Sequence, residues 1–239
     1  MDCVKEGRKL IEENLRVVLR SIEESRAKRK LADPKEPVRL VAVTKNHEVH
    51  EMREAIACGV TDIGENRIQE AREKFAALER DVVRHLIGHL QKNKAKYAVS
   101  LFDLIHSVDT TELAQVLDKE AGKIGKVQDV LVQVNLAREA TKSGVYEEEL
   151  QPMLEAVDNL LHLRLCGLMC IAPNYENVED VRPLFRRMYE IFQRTKEFPW
   201  KTANIIYLSM GMTHDYRIAV EEGANIVRVG TAIFGPRQY

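Results

Sequence analysis

Eight short runs rich in Val, Ile and Leu recur along the chain, at residues 38–45, 61–64, 82–87, 102–108, 127–134, 163–169, 205–208 and 226–229, with stretches of helical periodicity between them. Apolar runs this short, bounded by turn signals, read as strands buried on both faces. Strands that alternate with helices fit two architectures, a closed parallel barrel or an open doubly wound sheet. The length of 239 residues matches one (β/α)8 barrel of roughly 250 residues. The expectation is an α/β chain forming a single (β/α)8 TIM-type barrel domain over residues 1–239, with an extra N-terminal helix in 1–30 and the barrel over 38–235.

Residues 4–29 place Val4, Leu10, Ile11, Leu15, Val18, Leu19 and Ile22 at helical spacing, with charges on the other face. Asp33-Pro34 and Pro37 stop that helix. Further helices are expected over 48–57, closed by Gly59, then 68–78, 93–99, 147–161, 178–195 and 215–222, with another opened by the capping pattern Asp109-Thr110-Thr111-Glu112. Only residues 230–239 follow the eighth strand, too few for an ordinary covering helix. The N-terminal helix is therefore expected to shield that side of the barrel.

Charge and cysteine usage narrow the function. The 36 basic and 37 acidic residues nearly cancel, so no field of one sign steers the chain toward nucleic acid or an anionic membrane. No run approaches the roughly 18 apolar residues of a membrane span, and residues 1–29 lack the apolar core of a signal peptide. Cys3, Cys58, Cys166 and Cys170 show no paired C-x-x-C, which points to reduced thiols in a cytoplasmic protein. Cys166 and Cys170 read as small core residues rather than metal ligands, because no second ligand pair stands nearby. No metal site is expected.

The first strand ends in Lys45. In a barrel the carboxyl ends of the strands open onto the active-site face, where a lysine can attack a carbonyl; position alone favours a solvated lysine starting a loop. The loops after strands seven and eight, where such barrels most often hold a phosphate, read Ser209-Met210-Gly211-Met212-Thr213 and Gly230-Thr231-Ala232. Each pairs a glycine with a hydroxyl, as a phosphate cradle or an ordinary turn does. Arg228 stands inside an apolar strand, either turned inward to a ligand or outward to a surface acid. Asn66 closes the second strand, as helix cap or ligand. His47, the cluster His85 to Lys94 and the loop Asn135 to Gly144 are polar stretches without a role fixed by spacing.

These stretches together resemble the pyridoxal phosphate homeostasis protein family, also known as proline synthetase co-transcribed homologues, which look like the barrel domain of alanine racemase standing alone. The resemblance rests on Ala42-Val43-Thr44-Lys45, Gly64-Glu65-Asn66, His85 through Lys94, Asn135 through Gly144, Gly167-Leu168-Met169, Leu208 through Met212 and Val227 through Gly235, all in the family's order. It implies that Lys45 forms a Schiff base with pyridoxal 5′-phosphate, that Ser209, Gly230 and Thr231 hold the phosphate, that Arg228 faces the pyridine nitrogen and that Asn66 lies close by. There is one departure: the family usually has an aromatic residue before the His85 position and a large one after it, whereas this chain has Arg84 and Leu86.

A fixed cation beside the ring nitrogen disfavours its protonation and weakens the ring as an electron sink. Racemase-type turnover also needs a second acid/base group from a further domain, which the chain as read to Tyr239 lacks. The expected function is that of a cytoplasmic carrier or buffer of pyridoxal 5′-phosphate, without catalytic residues, monomeric, with cofactor-dependent apo-enzymes as partners. The alternatives are a weak cofactor-dependent racemase and a class I Schiff-base aldolase whose phosphate loops hold a sugar phosphate.

Overall fold

In the computed structural model, which describes residues 2–78 and 82–235 (side chains from residue 8 onward), the eight apolar runs pair side by side and close into a barrel. The strands are β1 (Arg39–Val43), β2 (Asp62–Glu65), β3 (Val83–Leu86), β4 (Leu104–Val108), β5 (Gln128–Val134), β6 (Leu163–Cys170), β7 (Tyr207–Met212) and β8 (Ile226–Val229). All pair in parallel, and β8 returns to β1 with Val41 opposite Arg228. The helices are α1 (Asp2–Arg26), α2 (Val49–Ala57), α3 (Ile68–Ala76), α4 (Ala95–Leu101), α5 (Thr111–Lys123), α6 (Glu147–Asp158), α7 (Arg182–Glu197), α8 (Tyr216–Glu221) and α9 (Thr231–Phe234). The expected (β/α)8 barrel is therefore the fold.

Two cores follow from strands that are buried on both faces. Outward-pointing Ala42, Ile63, Leu86, Ile105, Val130, Leu168, Leu208 and Val227 share one cluster with helix residues such as Met52, Phe75, Leu117 and Phe185. Val41, Leu104, Leu131, Met169 and Ile226, of opposite parity, form a smaller cluster inside the ring together with Cys166, which stands at the register shift of β6. The capping pattern before α5 is realised: the Thr110 hydroxyl accepts the Leu113 N–H at 3.2 Å.

The N-terminal helix shields the side after β8, as its amphipathic pattern requires. Ile11, Leu15, Val18 and Ile22 are buried, and α1 packs on α2, α8 and α9. Leu10 and Leu19 are exposed, because the buried stripe passes through Ile11 and Val18 rather than their neighbours. Val4 and Cys3 lie outside the described side chains. A short helical turn, α9, does follow β8, and Asn14 on α1 donates to its Ile233 carbonyl at 3.0 Å.

Two local departures bear on the site. β7 runs four residues past the expected end at Leu208, to Met212, so Ser209 to Gly211 are strand and not loop. Arg84, which replaces the family's aromatic residue, is itself buried and lies over the Phe75 ring, its guanidinium carbon 4.6 Å from the centroid. Its flat cation covers the apolar surface that an aromatic ring would cover.

Candidate functional site

The barrel register gathers the ends of β1, β2, β7 and β8 at one rim. Val43 pairs with Gly64, and continuing by two places sets Lys45 level with Asn66. Arg39 pairs with Ile226, which by the same continuation sets Val43 level with Gly230. Lys45 is half-buried at this rim, and the chain turns sharply behind it: Asn46 has φ of 63°, a left-handed conformation that Asn tolerates better than most residues.

That turn is braced from the helix layer. The Asn46 N–H donates to the Glu70 carboxylate at 2.5 Å. The Lys74 ammonium donates to Glu70 at 2.6 Å, to the Thr44 carbonyl at 2.7 Å and to Glu65 at 3.0 Å. The Thr44 hydroxyl donates to Glu65 at 2.6 Å. Burial pushes the Glu65 carboxyl above its ordinary pKa, against the opposing pull of Thr44 and Lys74. A buried carboxylate and ammonium thus fix the backbone on both sides of Lys45.

Asn66 is half-buried beside Gly88. A Cβ on Gly88 would stand 2.4 Å from the Asn66 carbonyl oxygen, so only glycine lets the ends of β2 and β3 come this close. The Ser107 hydroxyl donates to the Gly88 carbonyl at 2.7 Å and fixes the approach from β4.

Inside the barrel, polar side chains from five strands form a hydrogen-bonded line. Arg228 on β8, 3% exposed, donates to the Ser209 hydroxyl at 2.5 Å and to the Cys170 carbonyl at 2.8 Å. Ser209 Oγ is 3.0 Å from His106 Nδ1, His106 Nε2 is 2.9 Å from His85 Nδ1, and His85 Nε2 is 2.8 Å from Asp62 Oδ1. Asp62 also receives Arg39 at 2.8 Å. Burial lowers the pKa of Arg228 and holds His106 well below the usual imidazole range, the latter aided by the charge of Arg228. Burial works to raise Asp62, but hydrogen bonds from His85, Thr61 and Arg39 outweigh it and keep its carboxyl below the ordinary range.

The extension of β7 relocates one expected residue. Ser209 is fully buried in that interior line, not in the loop, and its hydroxyl is engaged by Arg228 and His106. The hydroxyl that does reach the rim between β7 and β8 is that of Thr213, 3.4 Å from the Gly230 nitrogen, which donates to it. Gly211, with φ of 92° and room for no Cβ against Ala219, turns the chain toward Thr213. Within α9 the N–H groups of Ile233, Phe234 and Gly235 bond back to Gly230 and Thr231, while the N–H groups of the first turn point out of the helix end at the rim. Thr231 is exposed there. The result is a small cluster of anion-favouring donors: Thr213, Gly230, Thr231 and the start of α9.

The remaining polar stretches have structural partners. Asn135 folds its loop on itself, its amide donating to the Glu139 and Lys142 carbonyls at 2.9 and 3.1 Å, and Gln133 reaches the Ser143 carbonyl at 2.7 Å. His47 packs on Phe234, with ring centroids 4.5 Å apart, and bonds Glu51. Cys58, Cys166 and Cys170 are free thiols, and burial pushes both Cys166 and Cys170 up to about 12. Among the described residues no His, Cys, Asp and Glu group is arranged to hold a metal ion, and no helix is long and apolar enough to cross a membrane.

Comparison with known proteins identifies relatives of the whole barrel. The family model for the alanine racemase N-terminal domain matches residues 11–238. The pyridoxal phosphate homeostasis protein of Aquifex aeolicus is 44% identical over 202 residues, covering 84% of this chain and 88% of that one. Its counterpart in Pasteurella multocida is 36% identical over 234 residues, covering 96% and 98%. The structure of PipY from Synechococcus elongatus with PLP bound superposes with a TM-score of 0.78 at 38% identity, covering 94% of this chain and all of that one. Alanine racemase from Bartonella henselae, at 14% identity and a TM-score of 0.70, shares the fold over 61% of its own length.

Proposed function

The chain belongs to the alanine racemase N-terminal domain family and, within it, to the pyridoxal phosphate homeostasis proteins, and from that membership we propose that it holds pyridoxal 5′-phosphate reversibly on Lys45 and serves as an intracellular carrier or buffer of the cofactor. The observation that carries this reading is the convergence at one rim of a lysine, a hydroxyl and N–H cluster suited to a phosphate dianion, and a buried arginine. The hydrogen bonds of Arg228 end on neutral oxygens, so a guanidinium desolvated in the barrel still presents its charge to whatever lies above it. A pyridine nitrogen, acceptor only when unprotonated, fits that position.

Each residue has a distinct task. Lys45 supplies the amine that forms the Schiff base. Gly230 and Thr231, with Thr213 in place of Ser209, bind the phosphate. Asn66, level with Lys45 across β1 and β2, offers an amide toward the ring. When bound, the cofactor supplies an aldehyde and an electron-accepting ring. Arg228 disfavours a proton on the ring nitrogen beside it, which restrains carbanion chemistry at a bound amino acid.

A carrier without robust catalysis follows from that restraint, in keeping with relatives named for homeostasis rather than for a reaction. Free buried thiols fit a reducing cytoplasm. The protein acts as a monomer and hands its cargo to apo-enzymes. The test is to load the purified protein with pyridoxal 5′-phosphate, record its visible absorbance and follow exchange of amino-acid α-hydrogens in deuterated water. Colour without exchange above that of the free cofactor supports the carrier. Colour with rapid exchange supports a racemase-like enzyme, and a colourless protein supports a sugar-phosphate aldolase.

A further inference from the structure

The interior line from Arg228 to Asp62 crosses the barrel from the cofactor rim to the opposite mouth, where Arg39, Asp62 and Tyr207 border a hollow of about 560 Å3. It uses five strands, and the side-chain hydrogen bonds of Asp62, His85, His106 and Ser209 lie within the line or at the far mouth, so among the described residues these four are linked to the rim through Arg228. Burying two imidazoles, a carboxylate and a guanidinium in a barrel that elsewhere packs Leu, Met and Ile is costly unless each group is satisfied and the line does something.

The hydrogen bonds admit one complete assignment. Arg228 can only donate, so Ser209 accepts from it and has its own proton to place. The available acceptor is His106 Nδ1 at 3.0 Å. His106, neutral by burial, then carries its proton on Nε2 and donates to His85 Nδ1 at 2.9 Å. His85 in turn donates from Nε2 to Asp62 at 2.8 Å. Every bond points from Arg228 toward the carboxylate. The reverse order would aim both Arg228 and His106 at Ser209 and leave its proton without a partner.

We propose that Asp62, His85, His106 and Ser209 form a one-way hydrogen-bond relay that positions Arg228 against the ring nitrogen of the cofactor, with Asp62 at the far mouth setting the direction of the line. The inference rests on the reading that the ring nitrogen faces Arg228. It makes four residues remote from the phosphate and from Lys45 into positioning residues, since they act on the cofactor only by holding the guanidinium in one place and one orientation. Asp62 is the anchor because it alone is acceptor-only: an amide in its place can turn its NH2 toward His85 and reverse both imidazole tautomers, as happens when a triad aspartate is replaced by asparagine.

The test has two parts. Long-range proton–nitrogen NMR of the cofactor-free protein reads the tautomers of His85 and His106, and 15N-labelled pyridoxal 5′-phosphate reads the protonation of the ring nitrogen in the loaded protein at neutral pH. Wild type should show both histidines protonated at Nε2 and an unprotonated ring nitrogen. Asp62→Asn, which is isosteric, should reverse the tautomers, move the ring nitrogen toward its protonated signal and weaken cofactor retention roughly tenfold, the size of one charge-assisted hydrogen bond. Ser209→Ala should move the ring nitrogen the same way while leaving His85 as in wild type, and Ser209→Thr, which keeps the hydroxyl, should restore it. A wild-type His106 protonated at Nδ1, or an unchanged ring nitrogen in both folded and loaded variants, would overturn the relay. A wild type that forms no lysine adduct would overturn the cofactor reading and the positioning role with it, and the tautomers would then show separately whether the line has one direction.

Discussion

Lys45 and Arg228 stand on adjacent strands at the same rim, yet they are held in opposite ways. The backbone around Lys45 is braced from outside the barrel by an ionic cluster, Glu65, Lys74 and Glu70, in which charges meet charges. Arg228 is held from inside by hydroxyl, imidazole and carbonyl groups, and the only carboxylate of its line lies at the far end. The difference matches their tasks. A nucleophile needs a fixed backbone, whereas a cation that tunes a ring needs its head group fixed, here by hydrogen bonds to neutral oxygens. A carboxylate hydrogen-bonded directly to Arg228 would weaken the effect.

The sharpest way to break this contrast is to remove the centre of the outer brace. Lys74→Met should cost about 3–5 kcal/mol of unfolding free energy, because Glu65 is then buried without its cation. Glu65 already has a raised folded pKa from burial, so its ionisation opposes folding as pH rises through that raised range, and the penalty should grow in the same direction. Urea denaturation from acid to neutral pH reads both effects, and faster hydrogen exchange at Asn46 would locate the loosened turn.

A smaller effect is expected at the phosphate cluster. Thr213→Val should weaken pyridoxal 5′-phosphate by roughly 1.5–3 kcal/mol and leave unphosphorylated pyridoxal almost unchanged, as equilibrium titration of both ligands would show. Ser209→Ala should not separate the two ligands in this way, since its hydroxyl serves Arg228; equal discrimination by both variants would return Ser209 to the phosphate.

The smallest effect lies in acid stability. Asp62 has a lowered folded pKa, so its contribution is fully present above the ordinary aspartate range near 3.9 and is lost as pH falls through the lower folded value. The stability gap between wild type and Asp62→Asn should therefore narrow below about pH 4. A gap that stays constant there would mean that the carboxylate is not what Arg39 and His85 hold.

The strand count was legible because the runs are short, rich in Val, Ile and Leu and bounded by turn signals, and Lys45, Asn66, Gly230 and Thr231 stand at strand ends that punctuation marks clearly, whereas the short helix α9 after the eighth strand was not expected. Ser209 was misplaced because Ser-Met-Gly-Met reads as a turn by composition, while closure of the barrel makes it strand. Pairing energy from two neighbouring strands outweighs the weak local preference of Ser and Gly. The interior relay was legible in principle as parity: Asp62, His85, His106, Ser209 and Arg228 each occupy an inward position on its strand, next to outward Ile63, Leu86, Ile105, Leu208 and Val227. Single polar residues on five separate strands only become a line once the register is known. The Glu65–Lys74 brace depends on a helix turning one particular face to β2, which spacing alone does not give.

The central claim is that Lys45 is the residue that holds the cofactor, and peptide mapping of the borohydride-reduced, loaded protein by mass spectrometry tests it most directly. The account predicts one modified peptide, carrying the reduced adduct on Lys45, and its complete disappearance in a folded Lys45→Ala protein. An adduct on Lys94 or Lys142 instead, or one that survives in Lys45→Ala, would contradict it.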